Sequence, residues 1–377
     1  MTRTAARIDL DAVRDNVASL RDHAAGGAQV MAVVKADGYG HGLVPSARAA
    51  VAGGAAWLGV AFLEEALALR AAGLTTPTLA WLTTPGEDLA AAVAADVDLG
   101  TYSEQQLTAA VEAARATGTT ARLHLKADTG LSRGGATAAD WPALCEAAAK
   151  AEADGAVRVV GVWTHFAFAD GGAHHPTNAR QVERFAEAVE VAERAGLRPD
   201  VRHLANSAAT LTAPHTHWDL VRPGIACYGL SPVPDQGSAR HFGLRPAMTL
   251  TSTVALTKRV PAGEGVSYLH RYTTDRETTL ALVPLGYADG VPRSATNLGP
   301  VQLAGRRRTI AGTVCMDQFL LDVGDDEVHA GDEVVLFGPG DDGEPTAEEW
   351  ADLLGTISYE IVTRVGARVP RTYVGAT

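Results

Sequence analysis

Behind Asp9 the apolar residues Leu10, Val13, Val17 and Leu20 recur at spacings of three and four. That is the stripe of an amphipathic helix, and the Asp9 carboxylate is placed to cap its first turn. Beyond it, short apolar runs alternate with alanine-rich stretches of helical period. The runs at 30–34, 57–61, 78–82, 97–100, 121–126, 157–163, 200–204 and 219–221 read as buried strands. The segments 103–117, 138–154 and 177–195 read as helices between them. Eight strands, most followed by a helix-length segment, predict an α/β fold with a parallel (β/α)8 barrel. A doubly wound open sheet would produce the same alternation.

The pattern changes near 231–247. Ser231-Pro232-Val233-Pro234-Asp235-Gln236-Gly237-Ser238 is rich in turn formers. After it the chain is rich in β-branched residues, with runs at 248–259, 278–284, 308–315, 318–323 and 333–337. One helix is predicted over 346–354, opened by Thr346 with Glu348 and Glu349 in its first turn. The expected division is a barrel domain over 1–240 and a mainly β domain over 241–377.

A hydrophobic content of 46% over 377 residues supports full globular cores. The formal charge of −12 is poorly matched to nucleic acid or an anionic membrane surface. No run is long and apolar enough to span a bilayer, and the start of the chain has no signal-like apolar stretch. Cys145, Cys227 and Cys315 are odd in number and far apart, so they read neither as a disulfide framework nor as a zinc site. His174-His175 and His215-Thr216-His217 lack a carboxylate or thiol to complete a ligand set, and no metal is expected. A cytoplasmic enzyme fits these features.

The most informative residue is Lys35, in Val33-Val34-Lys35-Ala36-Asp37-Gly38-Tyr39-Gly40-His41-Gly42. A lysine at the mouth of a buried strand can be partly desolvated. Its pKa then falls and its amine becomes a usable nucleophile or base, as a Schiff-base lysine must be. In a parallel barrel the other chemical groups should gather at the same strand ends. Reading those ends in order gives Lys126, Asp128 and Arg133 after the fifth strand, and His165 after the sixth. His203, Asn206 and Ser207 follow the seventh, and Arg222 and Gly224 the eighth.

Together these segments closely resemble the alanine racemase family, fold-type III pyridoxal-phosphate enzymes, in the family's order and from Ile8 to about Tyr373. The resemblance implies pyridoxal 5'-phosphate on Lys35, with Tyr39, Ser207, Gly224, Ile225 and Tyr359 at the phosphate-binding positions. It implies that His165 packs against the pyridine ring and that Arg222, supported by His203, faces the ring nitrogen. A guanidinium cannot accept a proton and disfavours protonation of that nitrogen, which suits clean removal and return of one proton. Arg133 matches the arginine that contacts the substrate carboxylate, and Lys126 the lysine that is often carbamylated beside it. Met316, through its backbone N–H, and Tyr287 match the substrate-carboxylate and gate loops.

Tyr268, in Gly263-Glu264-Gly265-Val266-Ser267-Tyr268, matches the family's second base. Two bases on opposite faces are expected of a racemase. In the family this tyrosine serves the partner subunit's site, which implies a head-to-tail homodimer. The implied function is interconversion of L-alanine and D-alanine, supplying D-alanine for peptidoglycan. A broader racemase acting on serine or lysine, a decarboxylase of the same plan, and a non-enzymatic pyridoxal-phosphate carrier are the alternatives. Arg222 disfavours the decarboxylase, and Tyr268 and Tyr359 the carrier. One departure stands out: the family usually has glycine after this tyrosine, and here Leu269 follows.

Overall fold

A computed structural model describes residues 3–172 and 175–375. The chain divides into two compact units. One is the barrel, formed by Val13–Gly38 and Leu43–Leu244. The other gathers Met1–Ala12, Tyr39–Gly42 and Arg245–Thr377.

The first strand, β1 (Thr4–Asp9), belongs to the second unit. The barrel strands are β2 (Gln29–Val33), β3 (Trp57–Val60), β4 (Thr78–Ala80), β5 (Asp98–Thr101), β6 (Ala121–Lys126), β7 (Val157–Trp163), β8 (Val201–His203) and β9 (Leu220–Val221). They form one parallel eight-stranded sheet in the order β8-β7-β6-β5-β4-β3-β2-β9. The seam between β8 and β9 is bridged by Asp219 N–H to the Arg202 carbonyl at 3.2 Å. Just past the strand ends, Arg222 N–H reaches the Ala205 carbonyl at 2.8 Å. The barrel alternative is therefore the one observed, and all eight strand segments were anticipated by apolar runs.

Inside the barrel Met31, Trp57, Leu79, Val160, Val201 and Leu220 pack as one buried cluster. Strands β5 and β6 contribute something different. Register places Asp98 beside Leu79, and His124 beside Gly161. A carboxylate and an imidazole thus occupy a region that barrels normally fill with branched apolar side chains.

The second unit departs from expectation in three places. β1 pairs antiparallel with β10 (Met248–Thr253) and parallel with a final strand, Arg371–Val374, so the start of the chain groups with its end rather than with the barrel. The 248–259 run is two strands, β10 and β11 (Leu256–Val260), in different sheets. The 308–315 run keeps only its beginning, as a strand over Arg306–Thr309, followed by an isolated bridge between Ile310 and Leu321. The physical reason is shared: apolar content does not reveal where a strand ends its pairing and turns. The strands Thr278–Val283, Phe319–Gly324 and Glu333–Phe337 are as expected, as is the helix Ala347–Leu354, which Thr346 caps reciprocally with Glu349, whereas the strand Pro300–Leu303 and the helix Ser358–Thr363 were not anticipated.

Candidate active site

Lys35 stands where β2 ends, and the chain after it does something L-residues rarely do. Ala36 (φ 54°, ψ 50°), Asp37 (φ 53°, ψ 48°) and Gly38 (φ 62°, ψ 43°) run in the left-handed region, and Tyr39 follows at φ 52°. Each non-glycine residue there costs about 1–2 kcal/mol, so the surroundings must over-determine the turn. They do. The Glu65 carboxylate accepts from Ala36 N–H at 2.6 Å and also from Ala61 N–H at 2.9 Å. The Asp37 carboxylate accepts from Leu43 N–H at 2.8 Å, and Gly38 N–H returns to the Val34 carbonyl at 2.8 Å. Tyr228 donates to the Val33 carbonyl at 3.2 Å. The strain is spent on fixing the lysine at the strand mouth.

Burial, together with the positive charge of Arg133, lowers the Lys35 pKa, and Glu65 opposes this only partly. Its amine lies 5.8 Å from the centre of the Trp81 ring. Close by in the same unit, Lys126 is buried at the end of β6, its amine 4.5 Å from the Trp163 ring centre and 5.0 Å from that of Tyr102. Burial and the nearby Arg222 and Arg133 charges push Lys126 down to about 8. The Asp128 charge opposes this only in part, and one oxygen of that carboxylate accepts from the N–H groups of Gly130, Leu131 and Ser132 at 2.9–3.1 Å. The acid shapes the turn that carries Arg133.

Arg222, buried at the end of β9, holds the centre. It donates to the Thr164 carbonyl at 2.8 Å, to His203 Nδ1 at 3.0 Å and to His165 Nδ1 at 3.2 Å. Burial weakens its hold on its proton, to about 9, which leaves it charged at neutral pH. Burial and the Arg222 charge drive both His165 and His203 well below the usual histidine range, so both are neutral. An arginine can only donate. His165 must therefore accept at Nδ1 and carry its proton on Nε2.

Beside this group Ser207 opens the short helix Ser207–Thr212 behind the Asn206 cap. Its hydroxyl accepts from Gly224 N–H at 2.8 Å and lies 3.4 Å from Ala226 N. A hydroxyl and adjacent backbone N–H groups converge there, the donor set that holds a phosphate. Ile225 sits between those amides, at the start of the 3-10 turn Ile225–Tyr228.

In the second unit, Tyr268 sits at the tip of a hairpin between Gly265–Val266 and Tyr272–Thr273. The Ser267 hydroxyl donates to the Thr313 carbonyl and the Thr313 hydroxyl donates to the Tyr268 carbonyl, each at 2.7 Å. The loop ending in Met316 is thereby tied to the tyrosine. Tyr287 N–H donates to the Cys315 carbonyl and Ala288 N–H to the Met316 carbonyl, each at 3.0 Å. A side chain at Gly286 would strike the Met316 carbonyl oxygen at 2.3 Å, so this approach requires glycine. Tyr268, Tyr287 and Met316 are thus brought together, and all are exposed, Tyr268 to 69%. Tyr39 and Tyr359 form an aromatic pair in this unit, ring centres 6.2 Å apart.

The Leu269 departure now has a geometry. Ser267 (φ 61°, ψ −167°), Leu269 (φ 63°, ψ 9°) and His270 (φ 44°) all have positive φ. The hairpin turns as glycine would turn, with leucine in the left-handed place.

Trp81, Tyr102 and Trp163, the aromatic walls around the lysines, and Asp98 and His124 behind them, are not among the residues that the sequence singled out. A usable signal existed for the last two, a polar residue inside each of the apolar runs Val97-Asp98-Leu99 and Leu123-His124-Leu125. Among the described residues no group of histidine, cysteine, aspartate and glutamate could hold a metal ion. His174 lies outside the described residues. No helix among them is long and apolar enough to cross a membrane.

Residues 8–232 match the family model for the alanine racemase N-terminal domain, and residues 247–373 that for the C-terminal domain. An alanine racemase from Frankia casuarinae is 68% identical over 372 residues, covering 99% of this chain and 96% of that protein. The crystal structure of alanine racemase from D-cycloserine-producing Streptomyces lavendulae superposes with a TM-score of 0.98 at 54% identity, covering 100% of this chain and 98% of that one. The alanine racemase of Bacillus anthracis, solved with bound L-Ala-P, gives 0.91 at 36% identity, covering 100% and 96%.

Proposed function

Since the chain belongs to the alanine racemase family, whose members are pyridoxal-phosphate-dependent isomerases interconverting L-alanine and D-alanine, we propose that Lys35 and Tyr268 are its two bases and that the Lys35–Arg222 cluster holds the cofactor. The cluster's chemistry supports this. Lys35, Lys126, Arg133 and Arg222 gather with little opposing carboxylate, and an anionic aromatic group would offset that charge. The Ser207 hydroxyl with the amides around Gly224 and Ile225 suits its phosphate, with Tyr39 and Tyr359 as further partners. His165 and Arg222 suit its ring. When bound, pyridoxal 5'-phosphate supplies an electron sink that acidifies the α-proton of the amino acid.

The chain's own residues then handle that proton. Lys35, with lowered pKa, holds or accepts it at Nζ on one face. The Tyr268 hydroxyl, contributed by a second copy of the chain, serves the other. A phenol with a reference pKa of about 10 needs help to act as a base. His165, whose Nε2 carries its proton, is the donor we assign to the phenolate. Arg133 and the Met316 backbone N–H orient the substrate carboxylate. Tyr287 and Tyr359 narrow the site to a small side chain. Carbamylation of Lys126 would replace a positive charge beside Arg133 by a negative one and turn repulsion into attraction. The enzyme acts as a homodimer in the cytoplasm, and D-alanine for peptidoglycan is its product.

The observation that carries the reading is Arg222. It is buried, charged, and hydrogen-bonded to neutral acceptors, so it would disfavour protonation of a ring nitrogen held beside it. A weaker sink of that kind would favour return of the proton over further reaction. The test supplies L-alanine, L-serine and L-lysine separately to the cofactor-loaded enzyme and quantifies the D-enantiomers. Rapid conversion of alanine alone is expected. Tyr268→Phe should nearly abolish reaction from L-alanine while cofactor stays bound, and full activity in that variant would refute the two-base assignment.

A further inference from the structure

Behind Arg222 a line of buried polar groups crosses the barrel. His203 Nε2 lies 2.9 Å from His124 Nδ1, and His124 Nε2 lies 3.1 Å from Asp98 Oδ2. Asp98 opens β5, and both histidines are fully buried. Arg122 closes the line, its Nε 2.5 Å from Asp98 Oδ1 and its Nη2 3.3 Å from Oδ2. Polar groups are costly in a barrel interior unless every one is satisfied, and such a line is stable only with one consistent order of donors and acceptors.

That order follows from the two ends. Arg222 can only donate, so His203 Nδ1 must accept. Neutral His203 then carries its proton on Nε2 and donates to His124 Nδ1. His124 carries its proton on Nε2 and donates to Asp98. The Asp98 carboxylate can only accept: burial alone would raise its pKa, but the hydrogen bonds from His124 and Arg122 hold it below the usual range. Every proton between Arg222 and Asp98 points toward Asp98, and Arg122 donates to the same carboxylate from the other side. The packing preserves it. A Cβ at Gly161 would meet His124 Nδ1 at 2.3 Å, and Trp163 stacks on His203 at 5.7 Å between ring centres.

We propose that Asp98 and His124 are positioning residues for the reaction, fixing the tautomer of His203 and through it the direction and seat of the Arg222 guanidinium. The role given to Arg222 rests on the reading above, whereas the proton order can be tested without it. The bland alternative is a structural ion pair of Asp98 with Arg122 at the N-terminal end of the barrel, where such residues usually serve stability. Asp98→Asn separates the two. An amide has one acceptor oxygen, and Arg122 claims it. The amide NH2 then faces His124 Nε2 as a donor. His124 and His203 must each move their proton to Nδ1, and His203 meets Arg222 with two donors opposed.

The experiment uses protein with 15N-labelled histidine, with and without cofactor, and reads by NMR which ring nitrogen of His124 and His203 bears the proton. In the unaltered protein both are expected at Nε2, and a proton on His203 Nδ1 overturns the proposal whatever the variants do. Asp98→Asn should move both protons, shift the visible absorbance of the bound cofactor, and lower kcat on the order of 10-fold or more, as loss of an outer orienting partner does in metal sites. In a His124→Gln background, where the amide oxygen accepts from His203 and the link to Asp98 is cut, Asp98→Asn should cost no further activity. Equal costs in both backgrounds, or unmoved tautomers and absorbance in Asp98→Asn, overturn the proposal. The expected tautomers in a protein inactive on alanine would support the proton order and refute the assigned reaction instead.

Discussion

Leu269→Gly should stabilise the protein, although it deletes a hydrophobic side chain. Leu269 sits at φ 63°, ψ 9°, and its side chain is 73% exposed. The left-handed conformation costs an L-residue about 1–2 kcal/mol, and glycine almost nothing. Against this, glycine's greater freedom in the unfolded chain costs about 0.5–1 kcal/mol. Within the single chain little burial is lost because leucine is mostly exposed there. The balance is a gain of about 0–1.5 kcal/mol, centred at about 0.75 kcal/mol, or roughly 1 °C in melting temperature for a chain of 377 residues. The assay is calorimetric melting of wild type, Leu269→Gly and Leu269→Ala at matched cofactor occupancy and two protein concentrations, so that altered association would show. Alanine keeps a Cβ and hence the strain, so it should show no comparable gain. A glycine variant melting at or below wild type, or an alanine variant gaining as much, would refute the account of this turn.

Ser207→Ala removes the buried acceptor of Gly224 N–H and should destabilise the cofactor-free protein by about 1–3 kcal/mol in urea unfolding, with weaker retention of cofactor on dialysis. Lys126 binds its proton less tightly when folded, about 8 against 10.5. The unfolded chain therefore carries the extra proton between those values, and wild-type stability should rise with pH through that window. Lys126→Met in carbonate-free buffer should accordingly be stabilising below pH about 8 and lose that advantage as pH passes 10.5, checked by urea midpoints at both ends.

The sequence by itself determined the alternation of strands and helices, because burial on both faces of a parallel strand leaves an unbroken apolar run, and helices facing a core must show their 3.6-residue period. It also singled out Lys35, His165, Arg222 and Tyr268 as the candidates for the chemistry, because they stand in dense local motifs. What only the tertiary structure decided are relations between distant segments. β1 joins the sheet of the second unit because its partners are Met248–Thr253 and Arg371–Val374, which no local pattern names. Asp98, His124 and His203 are a line only because β5, β6 and β8 bring them into one interior, where an isolated polar residue in an apolar run becomes a link with a defined proton. The left-handed turns after Lys35 and around Leu269 belong here too. Local propensity argues against them, and they persist because hydrogen bonds to the Glu65 and Asp37 carboxylates and from the Ser267 and Thr313 hydroxyls hold the backbone where the side chains must stand.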